Sequence, residues 1–149
     1  KKDVPDHPWT KDLLWLQSKA LALKNSNSLI LTGFVQDDDL PYIYNLATIY
    51  CQPSFAEGFG LPLIQAIQSG CPVVYSQDSC LDEIMESNGL KFNPHSQTDL
   101  ENVLKEFWNS KDTRQKYAKL GLNHSKKFDW KYTAKQTLAL YNLMLLNEK

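Results

Sequence analysis

Residues 53–66 contain the side chains whose types and spacing are suited to chemistry. Two glycines, Gly58 and Gly60, bracket one aromatic residue directly before the position where a helix should begin. Glycine lets backbone N–H groups approach a ligand without interference from a Cβ atom. A helix N-terminus adds free donors and a partial positive charge. The loop is therefore suited to phosphate, and a valine at either glycine is expected to block the ligand while leaving the helices largely intact.

One carboxylate, Glu57, comes directly before the glycines. An ionised carboxylate only accepts hydrogen bonds, so it would repel a phosphate unless it pointed elsewhere. A polyhydroxylated sugar suits it better, because each hydroxyl can donate a hydrogen bond. Two plainer interpretations stay open: the glycines shape a tight turn and nothing more, and Glu57 is a solvated surface carboxylate.

Alternating apolar runs and helical patterns are expected to position this loop. The strands are predicted over residues 29–34, 49–51, 72–75 and 90–92. The helices are predicted over residues 10–23, 37–47, 61–69, 81–86, 98–109, 111–127 and 130–147, after a polar lead-in at 1–8. Such alternation predicts an α/β fold with a parallel sheet flanked by helices. Ligands bind beyond the carboxyl ends of such strands, which here means the loops after Leu31, Cys51 and Val74.

Composition narrows the class of protein. The 149 residues include 16 Lys and Arg against 17 Asp and Glu, for a net charge of −1, and Arg114 is the single arginine. This balance argues against a nucleic-acid-binding protein that neutralises phosphates. Hydrophobic residues are 42% of the chain and charged residues 22%, as in a globular domain. The apolar runs are too short for a transmembrane helix.

The cysteines and histidines show no metal-ligand spacing. Three cysteines without a C-x-x-C pair predict reduced thiols and a cytoplasmic location. The histidines, His7, His95 and His124, lie among polar residues and are expected at the surface. The last helix carries three aromatic residues that are expected to pack against the domain: Trp130, Tyr132 and Tyr141.

Residues 53–74 resemble the signature of retaining glycosyltransferases of the GT-B fold, of the group 1 type. That signature is approximately P-S-x-x-E-G-F-G-L-P-x-x-E-A-x-x-x-G-x-P-V-V. Three flanking segments agree: 31–35 with F-L-G-x-V, 40–47 with L-x-x-L-Y-x-x-A, and 121–130 with a glycine followed by F-x-W. Glu83 also stands where the family has a glutamate, one helix after the P-V-V strand. The resemblance extends over residues 29–141.

The resemblance implies the C-terminal half of a GT-B fold, with a Rossmann-like parallel sheet flanked by helices. Residues 1–149 would form a single sugar-nucleotide-binding domain. It would lack its own first strand, a diphosphate-clamping loop with Arg or Lys, and the N-terminal acceptor domain. The implied partners are a nucleotide sugar and that N-terminal domain, with possible peripheral membrane contact through the missing part. No metal or other cofactor is implied.

The resemblance also assigns roles residue by residue. Glu57 would be the catalytic residue that contacts hydroxyls of the transferred hexose. The following loop would present backbone N–H groups to the donor sugar and diphosphate. Gln65 stands where a second glutamate accepts both ribose hydroxyls, and the end of an earlier strand would border the base. The donor-binding set is therefore Gly33, Phe34, Val35, Gly58, Phe59, Gly60, Leu61 and Gln65.

Gln65 is the main departure from the family pattern. A carboxylate offers two acceptor oxygens to two vicinal hydroxyls, whereas an amide offers one acceptor and a donor. The change could cost roughly 1–3 kcal/mol of nucleotide binding. It favours one alternative, a non-catalytic nucleotide-sugar-binding or interaction module of the same fold. Another α/β nucleotide enzyme, such as a sugar-nucleotide epimerase, is disfavoured by the length of the match.

Overall fold

The structure, a computed structural model, describes residues 15–16, 18–19, 22, 30 and 32–147, with side chains described as far as residue 145. The chain divides into two compact units, Lys1–Val35 and Gln36–Lys149. In the first unit, residues 15–16, 18–19 and 22 are helical, in agreement with the predicted first helix. The rest of that helix and the lead-in at 1–8 lie outside the described residues.

The second unit contains a parallel three-stranded sheet. Its strands are β1 (Tyr50–Gln52), β2 (Val73–Ser76) and β3 (Leu90–Phe92). They lie in the order β1-β2-β3, and both pairs are parallel. Cys51 pairs with Val74, and Val74 pairs in turn with Leu90. The parallel pairing predicted from the apolar runs is therefore confirmed for these three strands.

The strand predicted over residues 29–34 is wrong for every residue of it that the structure describes. Ile30 and residues 32–34 are in irregular backbone. Gly33 has a φ of 65°, in the left-handed region, which interrupts the extended geometry that a strand requires. Ile30 and Phe34 are also exposed. The apolar run was a misleading signal, because apolarity indicates neither strand nor burial by itself.

Six helices of the second unit surround the sheet or follow it. They are α1 (Leu40–Leu46), α2 (Leu61–Gln68), α3 (Cys80–Met85), α4 (Gln97–Asn109), α5 (Lys111–His124) and α6 (Trp130–Asn147), with a 3-10 turn at Ser125–Lys127. Serine side chains cap three of them. Ser79, Ser96 and Ser110 accept hydrogen bonds from backbone N–H groups in the first turns of α3, α4 and α5. These helices confirm the predicted ones. The largest displacements are three residues, at the start of α1 and at the end of α5.

The core lies on both faces of β2, all four residues of which are buried. Successive strand side chains point to opposite faces. Val73 and Tyr75 belong to a cluster with buried residues of α2 and α3, whereas Val74 packs in another with Phe92 and Phe107. The sheet is thus covered by helices on both sides, as a parallel sheet requires.

Two expectations about packing are wrong. His124 is buried, because the 3-10 turn folds Phe128 against its ring, and its Nε2 lies 2.6 Å from the carbonyl oxygen of Ile84. His95 is exposed as expected, and His7 lies outside the described residues. The aromatic residues of α6 do not pack against the domain: Trp130, Tyr132 and Tyr141 are all exposed.

The exposure of α6 has a sequence explanation. Its apolar residues near the C-terminal end occur at almost every position from 138 to 145, so they surround the helix instead of forming one stripe. Such a pattern does not indicate which face a helix buries. None of the helices in the described ranges has the length and apolar character needed to cross a membrane.

Candidate functional site

The candidate site lies where β1 ends and loop 53–60 leads into α2. Gly60 forms the N-cap of α2 with a φ of 89° and a ψ of 45°, a left-handed conformation that glycine adopts without strain. Its carbonyl oxygen accepts hydrogen bonds from Leu63 N at 3.0 Å and Ile64 N at 3.3 Å. Pro62 stands in the first turn, where a missing N–H has no cost.

The two glycines of the loop differ in what surrounds them. A Cβ atom on Gly60 would lie 2.5 Å from Leu81 Cδ2, whereas a Cβ on Gly58 would have no atom of the described residues within 4 Å. Gly60 is therefore required by the fold itself. The expectation that valine at Gly60 leaves the structure intact is wrong, because both the backbone conformation and the packing of α3 oppose it. A side chain introduced at Gly58 would enter open space, so a substitution there affects a bound ligand and not the packing of the described residues.

Four consecutive backbone donors at this junction have no acceptor within the described chain. They are the N–H groups of Gly58, Phe59, Gly60 and Leu61. Gly58, Phe59 and Leu61 are exposed, whereas Gly60 is buried. The arrangement gathers the partial positive charge of a helix start and several free donors, and it can accept an anion.

The Glu57 carboxylate is held by a compact hydrogen-bond network. Its Oε1 accepts from Gln52 Nε2 at 2.6 Å and from Ser54 Oγ at 2.6 Å. Gln52 Nε2 also donates to Ser54 Oγ at 3.0 Å, which closes a triangle of three side chains. Oε2 has no hydrogen-bond partner among the residues that the structure describes. Since Glu57 is only half-buried, this oxygen is available to accept a hydrogen bond from a ligand.

Tyr50 extends the network inside the protein by donating its hydroxyl to Gln52 Oε1. Burial raises the pKa of Tyr50 well above its ordinary value, and the nearby Tyr44, Cys51, Glu57 and Cys71 raise it further. The phenol therefore keeps its proton at any physiological pH and stays a donor. Its ring also packs edge-on against Tyr44, with centroids 5.3 Å apart.

Neighbouring elements fix the loop on the sheet. Ser76, at the end of β2, donates its hydroxyl to the carbonyl oxygen of Ser54. Cys80 Sγ, at the start of α3, lies 3.2 Å from the carbonyl oxygen of Glu57. The loop is thus attached at two points, to the end of β2 and to the start of α3, and these attachments fix the backbone that carries the Glu57 carboxylate.

Gln65 lies on the exposed side of α2 and lines a cavity of about 220 Å³. The cavity is bounded by α1 and α2, and Asp37 supplies its one carboxylate. Its remaining lining residues are Leu40, Pro41, Tyr44, Gln68 and Ser69. The cavity therefore offers hydroxyl, amide and carboxylate groups beside an apolar wall.

The predicted site residues fall into three groups. Glu57, Gly58, Phe59 and Gly60 share one loop, as predicted. Leu61 begins α2 directly after that loop, and Gln65 follows one turn into the helix. Gly33, Phe34 and Val35 belong to the first unit, and their role at a nucleotide base stays a prediction. Sequence reasoning missed Tyr50, Gln52, Ser54 and Asp37. The one available signal was a glutamine at the end of an apolar strand, where a buried amide needs partners.

Comparison with known proteins identifies the family to which the chain belongs. The family described as Glycosyl transferases group 1 matches residues 10–124. The chain belongs to this family, which confirms the resemblance seen in residues 53–74 and decides against an epimerase. O-antigen chain mannosyltransferase B of Escherichia coli is 32% identical over 138 residues, covering 91% of this chain and 35% of that protein.

Solved structures show the same fold. Sucrose-phosphate synthase from Thermosynechococcus elongatus matches with a TM-score of 0.86 at 22% identity, over 97% of this chain and 37% of that one. HepE from Anabaena, solved in complex with UDP and glucose, matches with a TM-score of 0.76 at 22% identity, over 90% and 37%. The predicted Rossmann-like α/β fold is confirmed as that of a GT-B C-terminal domain. The chain spans about a third of the length of these three proteins.

Proposed function

We propose that this chain is the donor-binding domain of an enzyme that transfers a hexose from a nucleoside-diphosphate sugar, with retention of configuration. The observation that carries the proposal is that the Glu57 carboxylate lies directly beside the free backbone N–H donors of residues 58–61 in the chain. One carboxylate oxygen is saturated by Gln52 and Ser54, and the other has no partner in the described chain. A sugar hydroxyl and a diphosphate are the ligand groups that such a pair of features accepts.

The proposed chemistry follows from the positions of charge. As the bond between the anomeric carbon and the diphosphate breaks, negative charge develops on the leaving phosphate oxygen. The N–H groups of residues 58–61 stabilise that charge because they are oriented before the reaction begins. Glu57 Oε2 accepts a hydrogen bond from a hexose hydroxyl and orients the ring. The proposal assigns no metal or other cofactor to this chain.

The nucleotide is proposed to lie along α2. Gln65 and Asp37 line one cavity, so ribose hydroxyls placed there meet an amide and a carboxylate. Asp37 can supply the ionised acceptor that the glutamine at position 65 lacks. This pairing keeps the nucleotide assignment compatible with Gln65.

The substrates and setting are proposed from the relatives. Mannose is the first hexose to test, because the Escherichia coli relative is named a mannosyltransferase, and glucose is the second. We assign the acceptor to a further domain of the whole protein, which is also where any peripheral membrane contact would occur. All three cysteines are free thiols, which supports the cytoplasm as the location.

Glu57→Gln in the whole protein tests the proposal, with Glu106→Gln on the exposed side of α4 as the matched control. Transfer, or slow hydrolysis of the donor where the acceptor is unknown, is expected to fall roughly ten- to a thousandfold, because a charge-assisted hydrogen bond is lost. Titration with the nucleoside diphosphate alone should be unchanged, since that ligand lacks the hexose. Full activity in Glu57→Gln would remove this residue from the site.

Gln65 favours one second candidate, a module that binds a nucleotide sugar without transferring it. The same experiments separate the two. Binding of nucleoside diphosphate by the whole protein, together with neither transfer nor donor hydrolysis in the wild type, would establish the module.

A further inference from the structure

We infer that Gln52 is a positioning residue for Glu57, acting through an amide whose orientation is fixed by Tyr50. This inference rests on the proposed function. Tyr50 and Gln52 would determine which oxygen of Glu57 is free to accept a hydrogen bond from the sugar. Gln52 itself reaches the substrate only through Glu57.

The position of Gln52 is unusual for an amide. It is the last residue of β1 and only 9% exposed, next to strand β2, which is entirely buried. A buried amide is unfavourable unless its hydrogen bonds are made. Here both ends of the amide are used, and every partner belongs to the network around Glu57: Tyr50, Ser54 and Glu57 itself. The glutamine therefore serves that network and not the apolar core.

The partners permit one orientation of the amide. The Tyr50 hydroxyl carries a proton that its raised pKa retains, so it donates to Gln52 Oε1. The NH₂ group is then directed to Ser54 and Glu57. In the reverse orientation, an amide oxygen would face the Glu57 carboxylate at 2.6 Å, and two acceptors would repel each other. Tyr50 thus determines, through Gln52, which donor the carboxylate receives.

The consequence for the sugar is geometric. Two short hydrogen bonds hold Glu57 Oε1 on the protein side and fix the rotation of the carboxylate. Oε2 is left as the acceptor with a set direction, so hydroxyls that lie along it are favoured over those that do not. Gln52 therefore contributes to selection of the hexose as well as to the rate.

Gln52→Glu provides a test that a merely structural role would not pass. Two carboxylates in this contact share one proton, which raises the upper pKa of the pair. When protonated, the new side chain donates to Glu57 as the amide did, and when ionised it repels Glu57. The assay covers roughly pH 5.5–8.5. Four nearby groups stay neutral across that range, because their pKa values are raised above ordinary values that already lie near or above its upper end. They are Tyr44, Tyr50, Cys51 and Cys71.

Donor turnover by Gln52→Glu in the whole protein should approach the wild-type rate at the acid end of that range. It should then fall about tenfold per pH unit above the upper pKa of the pair. Gln115→Glu, which adds the same charge at an exposed position of α5, should follow the wild-type pH profile. A Gln52→Glu profile that coincides with that of Gln115→Glu would overturn the inference.

Two further variants extend the test, and the second of them leaves position 52 unchanged. Gln52→Leu should lower kcat/KM about ten- to a hundredfold at every pH, while the nucleoside diphosphate binds as before. Tyr50→Phe should lower it about three- to tenfold, since the amide loses its orienting donor. Wild-type kcat/KM in both would overturn the role of Gln52. If Glu57→Gln also kept full activity, the proposed function would fail with it, so the two failures are distinguishable.

Discussion

Gly60 and Leu81 are packed so closely that a Cβ on the glycine would lie 2.5 Å from Leu81 Cδ2. The contact joins the start of α2 to the buried face of α3. It means that one residue has two duties: its left-handed backbone turns the chain into α2, and its missing side chain lets α3 approach. Loop 53–60 and the core of the domain both depend on this residue, so a substitution here changes both.

Gly60→Ala is expected to destabilise the domain by about 2–5 kcal/mol. A left-handed conformation costs a residue with a Cβ roughly 1–2 kcal/mol, and overpacking against Leu81 costs roughly 1–3 kcal/mol more. Urea unfolding of the wild type and the variant, followed by circular dichroism, measures the difference.

Gly58→Ala is the matched control, because its Cβ enters open space and its φ is not positive. Its free energy of unfolding should stay within about 1 kcal/mol of the wild type. Gly58→Val should then weaken binding of the nucleotide sugar in a folded protein. Equal losses of stability in Gly58→Ala and Gly60→Ala would contradict the conclusion that only Gly60 is required by the fold.

Stability is expected to fall as the pH rises above about 9, the ordinary pKa of a thiol. Burial raises the pKa of Cys71 to about 11 and that of Tyr75 to about 12, with Asp82 and Tyr117 adding to the effect at Tyr75. The folded state therefore holds these protons more tightly than the unfolded state. In the unfolded chain these groups have their ordinary pKa values, 9 for Cys71 and 10 for Tyr75. Their contribution to the stability of the fold is fully present below those values, and it is lost as the pH rises towards the pKa values of the folded state.

Tyr75→Phe isolates one of these contributions. Phenylalanine keeps the ring and removes the ionisation. The unfolding free energy of the variant should therefore decline less steeply than that of the wild type between pH 10 and 12, the ordinary and the raised pKa values of Tyr75. Urea midpoints across that interval provide the measurement. Parallel slopes for the two proteins would show that Tyr75 does not carry the effect.

Much of the second unit could be predicted from local pattern. The sequence runs that form β1, β2 and β3 are short and apolar, and each is followed by a helix. Local pattern failed at 29–34, where the described residues are irregular around the positive φ of Gly33. It also failed in α6, whose apolar residues point in all directions and so define no buried face.

The site was predictable only where chemistry is contiguous in sequence. Glu57 and the residues after it form one loop, and their types alone suggested sugar and phosphate. Gln52 and Tyr50 were missed because their role depends on hydrogen bonds made inside the fold. Asp37 was missed because it lines the same cavity as Gln65 only when α1 packs beside α2. His124 was placed at the surface because its sequence neighbours are polar, and burial of its ring depends on Phe128.

His124→Leu is expected to lower the free energy of unfolding by about 1–3 kcal/mol. The ring is buried and its Nε2 meets the carbonyl oxygen of Ile84 at 2.6 Å, at the end of α3. Leucine fills most of the volume but leaves that carbonyl without a partner. Thermal and urea unfolding of the variant measure the cost, and His95→Leu, at an exposed position, should change it by no more than about 0.5 kcal/mol. Equal stabilities for His124→Leu and the wild type would show that the contact is not needed.

Gln65→Glu is expected to tighten binding of the nucleoside diphosphate in the whole protein. If the ribose lies in the cavity that Gln65 and Asp37 share, a carboxylate at position 65 offers two acceptor oxygens to the ribose hydroxyls. The gain should be roughly five- to a hundredfold in Kd, measured by calorimetry. Repulsion from Asp37 opposes it, so the gain should be larger in the Asp37→Asn background, where Kd starts from a weaker value. Gln115→Glu controls for the added charge and should leave Kd unchanged. Identical Kd values for the wild type, Gln65→Glu and Asp37→Asn would place the ribose outside this cavity, because neither acceptor would then be in contact with it.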